Sequence, residues 1–230
     1  MPCVHSKRNL KGDKIKKSLK QMIFRCYKII NSLPFNNSFR MRKTKLKNEG
    51  KLLWKCKIKS YGENTIIFRK GGIIRNTTIC IRGDHNVVEI GEDACINQGD
   101  IYIEDHNNRV MIGNGTNLCG KIHLACTEGR SIYFGKDCLC SSEIVVRTGD
   151  SHSIVDMSGE RINHAEDVVI GDHVWIGYRV LINKGAVIPE NTIIGTGAVV
   201  TKSFEEPNTV LAGVPAKVVK KDVNWRKERL

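Results

Sequence analysis

Between Val146 and Val168 the chain reads RTGDSHSIVDMSGERINHAED, a run too polar and too long for a simple turn. It gathers residue types suited to acid–base and hydroxyl-binding work: Asp150, His152, Arg161, Asn163 and His164. An imidazole of ordinary pKa, near ~6.5, is mostly neutral at pH 7, so a histidine held in such a loop can take the proton of a hydroxyl as its oxygen attacks an electrophile. Long loops in compact repeats usually carry function. Metal chemistry has weaker support, because His85, His106 and His123 stand isolated from one another and the nine cysteines show neither a CxxC pair nor a Cys/His zinc spacing. The cysteines are expected to be reduced core residues of a cytosolic protein.

The elements that must position this loop form a repeat. Steps of six from Ile170 give Ile176, Ile182, Ile188, Ile194 and Val200, and four residues after each of the first five ladder residues stand Val174, Val180, Ala186, Thr192 and Ala198. A period of six matches neither an α-helix nor a free-standing strand, and fits a solenoid of short flat faces, three per coil, stacked ~4.8 Å apart. Upstream, Ile90, Ile112 and Phe134 recur every 22 residues, one 18-residue coil with four more at a corner, and segments 83–86, 104–108 and 127–130 have turn chemistry. The predicted fold is all-β, a left-handed parallel β-helix spanning 61–203 with a projecting loop at 147–167. A basic segment with an amphipathic helix precedes it (1–60), and a C-terminal cap and tail follow (204–230).

DSHSIVDMSGERINHAEDVVIGDHVWIG, KGAVIPENTIIGTGAVVTKSF and AGVPAKVV together resemble the hexapeptide-repeat acyltransferases, the family of galactoside, maltose and streptogramin acetyltransferases. GERINH with IGDHVWIG, and SFEEPNTVLAGVPAKVV, are more similar to the bacterial capsular polysaccharide and polysialic acid O-acetyltransferases. The resemblance is strong over 133–225, moderate over 75–132 and absent over 1–60. It implies acetyl-CoA as donor and a homotrimer with active sites between subunits. It also implies a catalytic histidine in the projecting loop, which falls on His152. His164 is the second candidate base, or a residue that holds the loop closed, and either Glu143 or Asp150 could orient the His152 ring. Trp175 takes the sixth position of its hexad, where a flat face normally carries a smaller side chain, and the resemblance puts it beside the thioester; packing at a trimer interface is the alternative. Gly177, Tyr178, Gly195, Thr196, Thr201 and Lys202 match family positions along the pantetheine groove, and Lys217 and Lys220 match basic residues near the adenosine phosphates. Tyr178 and Thr196 are larger than the serine and alanine of the galactoside and maltose enzymes, a departure that bears on the path of the arm. Asp150, Arg161, Asn163 and His164 are expected to face the acceptor.

The net charge of +13 is uneven. Residues 1–60 hold 18 Lys or Arg against two acids (+16), leaving 19 against 22 (−3) in the rest, so nucleic acid is not an expected partner. Ile15, Leu19, Met22, Ile23, Cys26 and Ile30 make an apolar stripe at helical spacing, suited either to packing on the body or to peripheral membrane contact. Arg25 and Lys28 interrupt any signal-peptide core, and no run approaches ~18 apolar residues. The expected protein is cytoplasmic, at the inner membrane face, needs no metal, and transfers acetyl from acetyl-CoA directly to a carbohydrate hydroxyl. The acceptor would be a sugar, an anionic surface polysaccharide or a lipid-linked glycan. N-acetylation of a nucleotide-linked amino sugar and a non-catalytic solenoid are the competing readings.

Overall fold

Inward aliphatic side chains six residues apart cannot share one face of a narrow prism; each must start a new one. The computed structural model, which describes residues 36–230 together with Met22, Cys26 and Ile29, follows that rule. Ile170 lies on one sheet, Ile176 on the next and Ile182 on the third, all fully buried. The first face carries eight strands, from Ser38–Arg42 to Val199–Val200; the second carries seven, from Lys45–Asn48 to Val187–Ile188; the third carries nine, from Leu52–Trp54 to Lys217–Lys220. Pairing is parallel and in register, Ile170 over Phe134 and under Ile188, so like residues stack on like. The coils wind as a left-handed β-helix. Val174, Val180, Ala186, Thr192 and Ala198 fill the remaining interior at 0–1% exposure. Each buried isoleucine contributes about 2 kcal/mol of transfer free energy, and the lattice of such residues is the core.

The 22-residue period has a structural cause at the corner between the first and second faces. There Asn64, Asn86 and Asn108 stack inside the wall, each almost fully buried. The Asn86 backbone and side-chain amides donate to Asn64 Oδ1 (3.0 and 3.1 Å), and those of Asn108 donate to Asn86 Oδ1 (2.9 and 3.0 Å). The asparagines thus satisfy the backbone of the enlarged turns, which a tight corner would have satisfied itself. His85 sits in one such turn at φ 60°, which accounts for that isolated histidine.

The ladder begins earlier than the hexad rhythm suggests. Ser38–Arg42 pairs with Lys57–Tyr61, so within the stretch assigned by charge to an N-terminal segment residues 38–56 form the first coil and residues 57–60 begin the second, with Leu53, Cys56 and Ile58 buried. Of the helical stripe, Met22 and Cys26 are helical and exposed; Ile15, Leu19, Ile23 and Ile30 lie outside the described residues. The cysteines need a correction. All eight described thiols are free, but only Cys56, Cys126, Cys138 and Cys140 are buried, whereas Cys26 and Cys119 are exposed. Burial pushes the Cys126 and Cys138 thiols up to about 11.

At the C-terminal end Val210–Ala212 continues the third face and Lys217–Lys220 folds back on it antiparallel, ending the stack. The chain then returns to the coil of Trp175.

Candidate active site

The projecting loop leaves the same corner that carries the asparagine stack, between Ile144–Arg147 on the first face and Val168–Ile170 on the second. Its outer part is a small hairpin: Val155 bridges Arg161, Ile162 N–H donates to Ile154 O (2.9 Å), and the Asp156 carboxylate caps the turn by accepting from Ser158 and Glu160. Its inner part is organised by Asn163, only 6% exposed. The Asn163 amide donates to Asp150 Oδ2 and to the His152 carbonyl (both 2.8 Å), and its oxygen accepts from Ile154 N–H and Arg161 Nε. From the coil below, Glu128 takes an Arg161 N–H and the Ala165 N–H. From the coil above, Lys184 reaches Asp150 (2.8 Å) and the Asn163 carbonyl (3.0 Å). The Lys184 ammonium, then the Asn163 amide, hold the Asp150 carboxyl below its ordinary range, and Arg161 does the same for Glu128.

The effect is to fix the backbone of His152 while leaving its exposed ring without a hydrogen bond or ion pair among the described residues. Neither candidate orienter meets that ring within the chain. Asp150 is held by Lys184 and Asn163, and Glu143 pairs with Arg179 (2.8 Å) at the corner between the third and first faces, its carboxyl lowered by that guanidinium and by the Tyr178 hydroxyl. His164 is exposed on the same loop. Two open clefts of about 400 and 350 Å³ lie on the first face beneath the loop, and both are lined by Arg147 and Asp150.

Trp175 lies on the third face, 41% exposed, with Leu139 below it and Ile193 above. In a three-sided prism that face is opposite the corner from which the loop leaves, so one chain cannot bring Trp175 to His152. The groove positions divide in the same way. Gly177 with Tyr178, and Gly195 with Thr196 directly above, stack at the corner between the third and first faces, below the strand of Lys217 and Lys220. A Cβ at Gly177 would come within 2.8 Å of Ile194 O and Thr196 N, so close coil stacking alone requires glycine there. Thr201 and Lys202 sit instead at the loop's corner, one coil above Lys184, with Ser203 Oγ donating to Gly185 O (2.8 Å). The candidate residues therefore fall into two groups on opposite sides of the prism: His152, Asp150, Lys184, Thr201 and Lys202 on one side, and Trp175 with the Gly177 and Gly195 corners and the two terminal lysines on the other.

Sequence reading missed Lys184, Glu128, Arg147 and Trp225. Lys184 and Glu128 occupy ordinary polar positions of a hexad and a turn, and spacing gives no sign of what they reach. Trp225, 6% exposed, stacks on His173 (4.2 Å, 9° between planes), donates its indole N–H to His173 O (2.8 Å) and lies 6.1 Å from the Trp175 ring. Among the described residues no group of His, Cys, Asp and Glu side chains is arranged to hold a metal ion.

No family model matches the chain. It is 34% identical over 183 residues to the polysialic acid O-acetyltransferase of Neisseria meningitidis, covering 70% of this chain and 85% of that protein. It is 32% identical over 139 residues to the galactoside O-acetyltransferase of Escherichia coli K12, covering 60% and 64%. Among solved structures, the polySia-specific acetyltransferase NeuO superposes with a TM-score of 0.71 at 30% identity, over 84% of this chain and 86% of that one. The polysialic acid O-acetyltransferase OatWY superposes with a TM-score of 0.72 at 29% identity, over 84% and 92%. The parallel solenoid, its one long loop and these similarities agree: the chain is an acetyltransferase of the hexapeptide-repeat family that contains the polysialic acid O-acetyltransferases.

Proposed function

We propose that this chain is a carbohydrate O-acetyltransferase whose active sites form between the subunits of a homotrimer, with acetyl-CoA as donor and His152 as general base. The observation that carries this reading is the division into half-sites on opposite sides of the prism, which becomes useful only when the loop corner of one copy faces the third face of another. The pantetheine arm would then run along the stacked Gly177 and Gly195 corners of one subunit and the Thr201 and Lys202 corner of its neighbour, with Lys217 and Lys220 toward the phosphates. Trp175 would pack beside the thioester. The acceptor hydroxyl would enter over the clefts beside Asp150 and Arg147, and the exposed guanidinium there favours an anionic sugar or polymer. Asn163 and Arg161, committed inside the loop, would position His152 rather than touch the acceptor, and His164 would lie at the rim.

In the reaction the neutral His152 imidazole takes the acceptor proton as the hydroxyl oxygen attacks the thioester carbon. The tetrahedral intermediate collapses with cleavage of the C–S bond, and the imidazolium returns the proton to the CoA sulfur. The need for acetyl-CoA supports a cytoplasmic location, and the basic N-terminal sequence supports one at the inner membrane face. Labelled acetyl-CoA with a panel of sugars, nucleotide sugars and anionic oligosaccharides tests the assignment: the product should lose its label in mild base, as an ester does. A base-stable product would mean N-acetylation, and no transfer with no CoA binding would mean a non-catalytic solenoid.

A further inference from the structure

The highest density of charge on the described solenoid lies far from the half-sites, around the first coil. Arg40 and Arg42 point outward from its first face, Lys45 and Lys47 from its second, and Lys43, Lys51 and Lys55 occupy its three corners, all exposed. Glu49 is the one acid in residues 36–60, and it pairs with Lys47 at 3.3 Å. The charge forms a ring around the prism axis, not a stripe along it. In the column above Arg40 come Lys59, Cys80, Tyr102 and Ala125; above Lys45 come Thr65 and Val87; above Lys47 come Ile67 and Glu89. Further cations in these columns are sparse: Lys59 and, five coils up, Arg147 above Arg40; Arg82 above Arg42, before Glu104; and Arg109 three coils above Lys45. A linear polyanion lying along the solenoid would be served by a basic column on one face; a ring at the end of a prism faces a plane.

Directly before this coil, Met22, Cys26 and Ile29 are helical, exposed (56% and 61% for Met22 and Ile29) and spaced four and three apart, which puts them on one face. Lys20, Arg25 and Lys28 lie in the same stretch of sequence. Trp54, 38% exposed, stands on the third face between Lys51 and Lys55. Exposed apolar and indole groups beside cations match the boundary between headgroups and acyl chains, whereas a hydrated polysaccharide offers no apolar phase for the Met22 and Ile29 side chains. No described helix is long and apolar enough to cross a membrane.

We propose that the N-terminal end of the prism docks end-on onto an anionic lipid bilayer, with the cationic ring against the headgroups and the Met22–Cys26–Ile29 face in the acyl boundary. This names the lipid chemistry and the surface behind the membrane-face localisation, and it rests on that reading alone, not on acetyl transfer. The test is flotation of the full-length protein with phosphatidylcholine vesicles containing about 30% phosphatidylglycerol, against phosphatidylcholine alone. Binding is expected only to the anionic vesicles, and raising salt from about 0.05 to about 0.5 M should weaken it at least about tenfold. The variant Arg40→Glu/Lys45→Glu/Lys55→Glu should lose at least about tenfold, and Met22→Glu, with the ring intact, several-fold. All variants should keep their unfolding midpoint and their turnover of a small soluble acceptor. Wild-type binding that is absent, or equal on neutral vesicles, overturns the proposal. So does a charge-reversed variant that binds vesicles normally but loses affinity for a soluble anionic polysaccharide, which would assign the ring to polymer capture. The assay contains no acetyl-CoA, so its failure and a failure of the catalytic reading are separate results.

Discussion

A site divided between subunits makes a quantitative prediction about mixtures of inactive variants. His152→Ala removes the base from the loop half-site and should cost about 10²–10⁴-fold in turnover. Trp175→Ala disturbs the opposite half-site and, by misplacing the thioester, should cost about 10²-fold. In a cyclic trimer each site joins the loop corner of one copy to the third face of the next. If the two variants are co-expressed with different tags and doubly tagged trimers are isolated, every mixed trimer, whether two-to-one or one-to-two, contains one junction in which intact His152 meets intact Trp175. Such trimers should recover about one-third of wild-type activity, far above either parent, read as thiol released from acetyl-CoA in the presence of a soluble acceptor. A site contained within one chain would leave mixed trimers at the mean of the parents, about 1% of wild type or below. That second outcome refutes the half-site geometry whatever the acceptor proves to be.

Other outcomes follow from the loop and the tail. Asn163→Ala removes four hydrogen bonds from a nearly buried centre, leaving the His152 carbonyl without its donor and Asp150 with Lys184 alone; it should lower kcat about tenfold or more while the global unfolding midpoint moves little, because the solenoid core is untouched. Asp150 and Glu128 have lowered pKa values, so the loop stability they supply is fully present above their ordinary unfolded pKa near ~4 and is lost as pH falls through the folded values below it. Hydrogen exchange across 150–165 should therefore be flat from neutral pH to about pH 5 after correction for intrinsic rates, and should quicken below about pH 4. Trp225→Ala should raise the KM for acetyl-CoA more than it lowers kcat and should shift Trp175 fluorescence, whereas Trp225→Phe should keep the stack on His173 and recover most of the loss; equal effects of both would leave the indole N–H, not the stacking, as the support.

Much of the molecule was legible from sequence wherever burial enforces a repeat. The steps from Ile170 to Val200 and the 22-residue interval linking Ile90, Ile112 and Phe134 survive because a change at an inward position must be answered by every coil that stacks on it. The first coil escaped notice because its outward lysines dominate composition, while its buried apolar residues Leu53 and Cys56 are too few to set a period. The site was legible in part: the loop announces itself by breaking the rhythm, and Asp150, His152, Arg161 and Asn163 fall within it.

Sequence alone thus determined the solenoid, its period and the segment that departs from it, since each of these depends on local spacing. Which outward residues meet was decided only in three dimensions. Asn163 turned inward to hold the loop, Lys184 reached it from the coil above, and Trp225 crossed 52 residues to stack on His173. Three faces set at angles placed His152 and Trp175 on opposite sides of the chain. The physical reason is that outward positions of a β-helix carry no packing constraint from the ladder, so their partners depend on how corners and tails fold back on the wall.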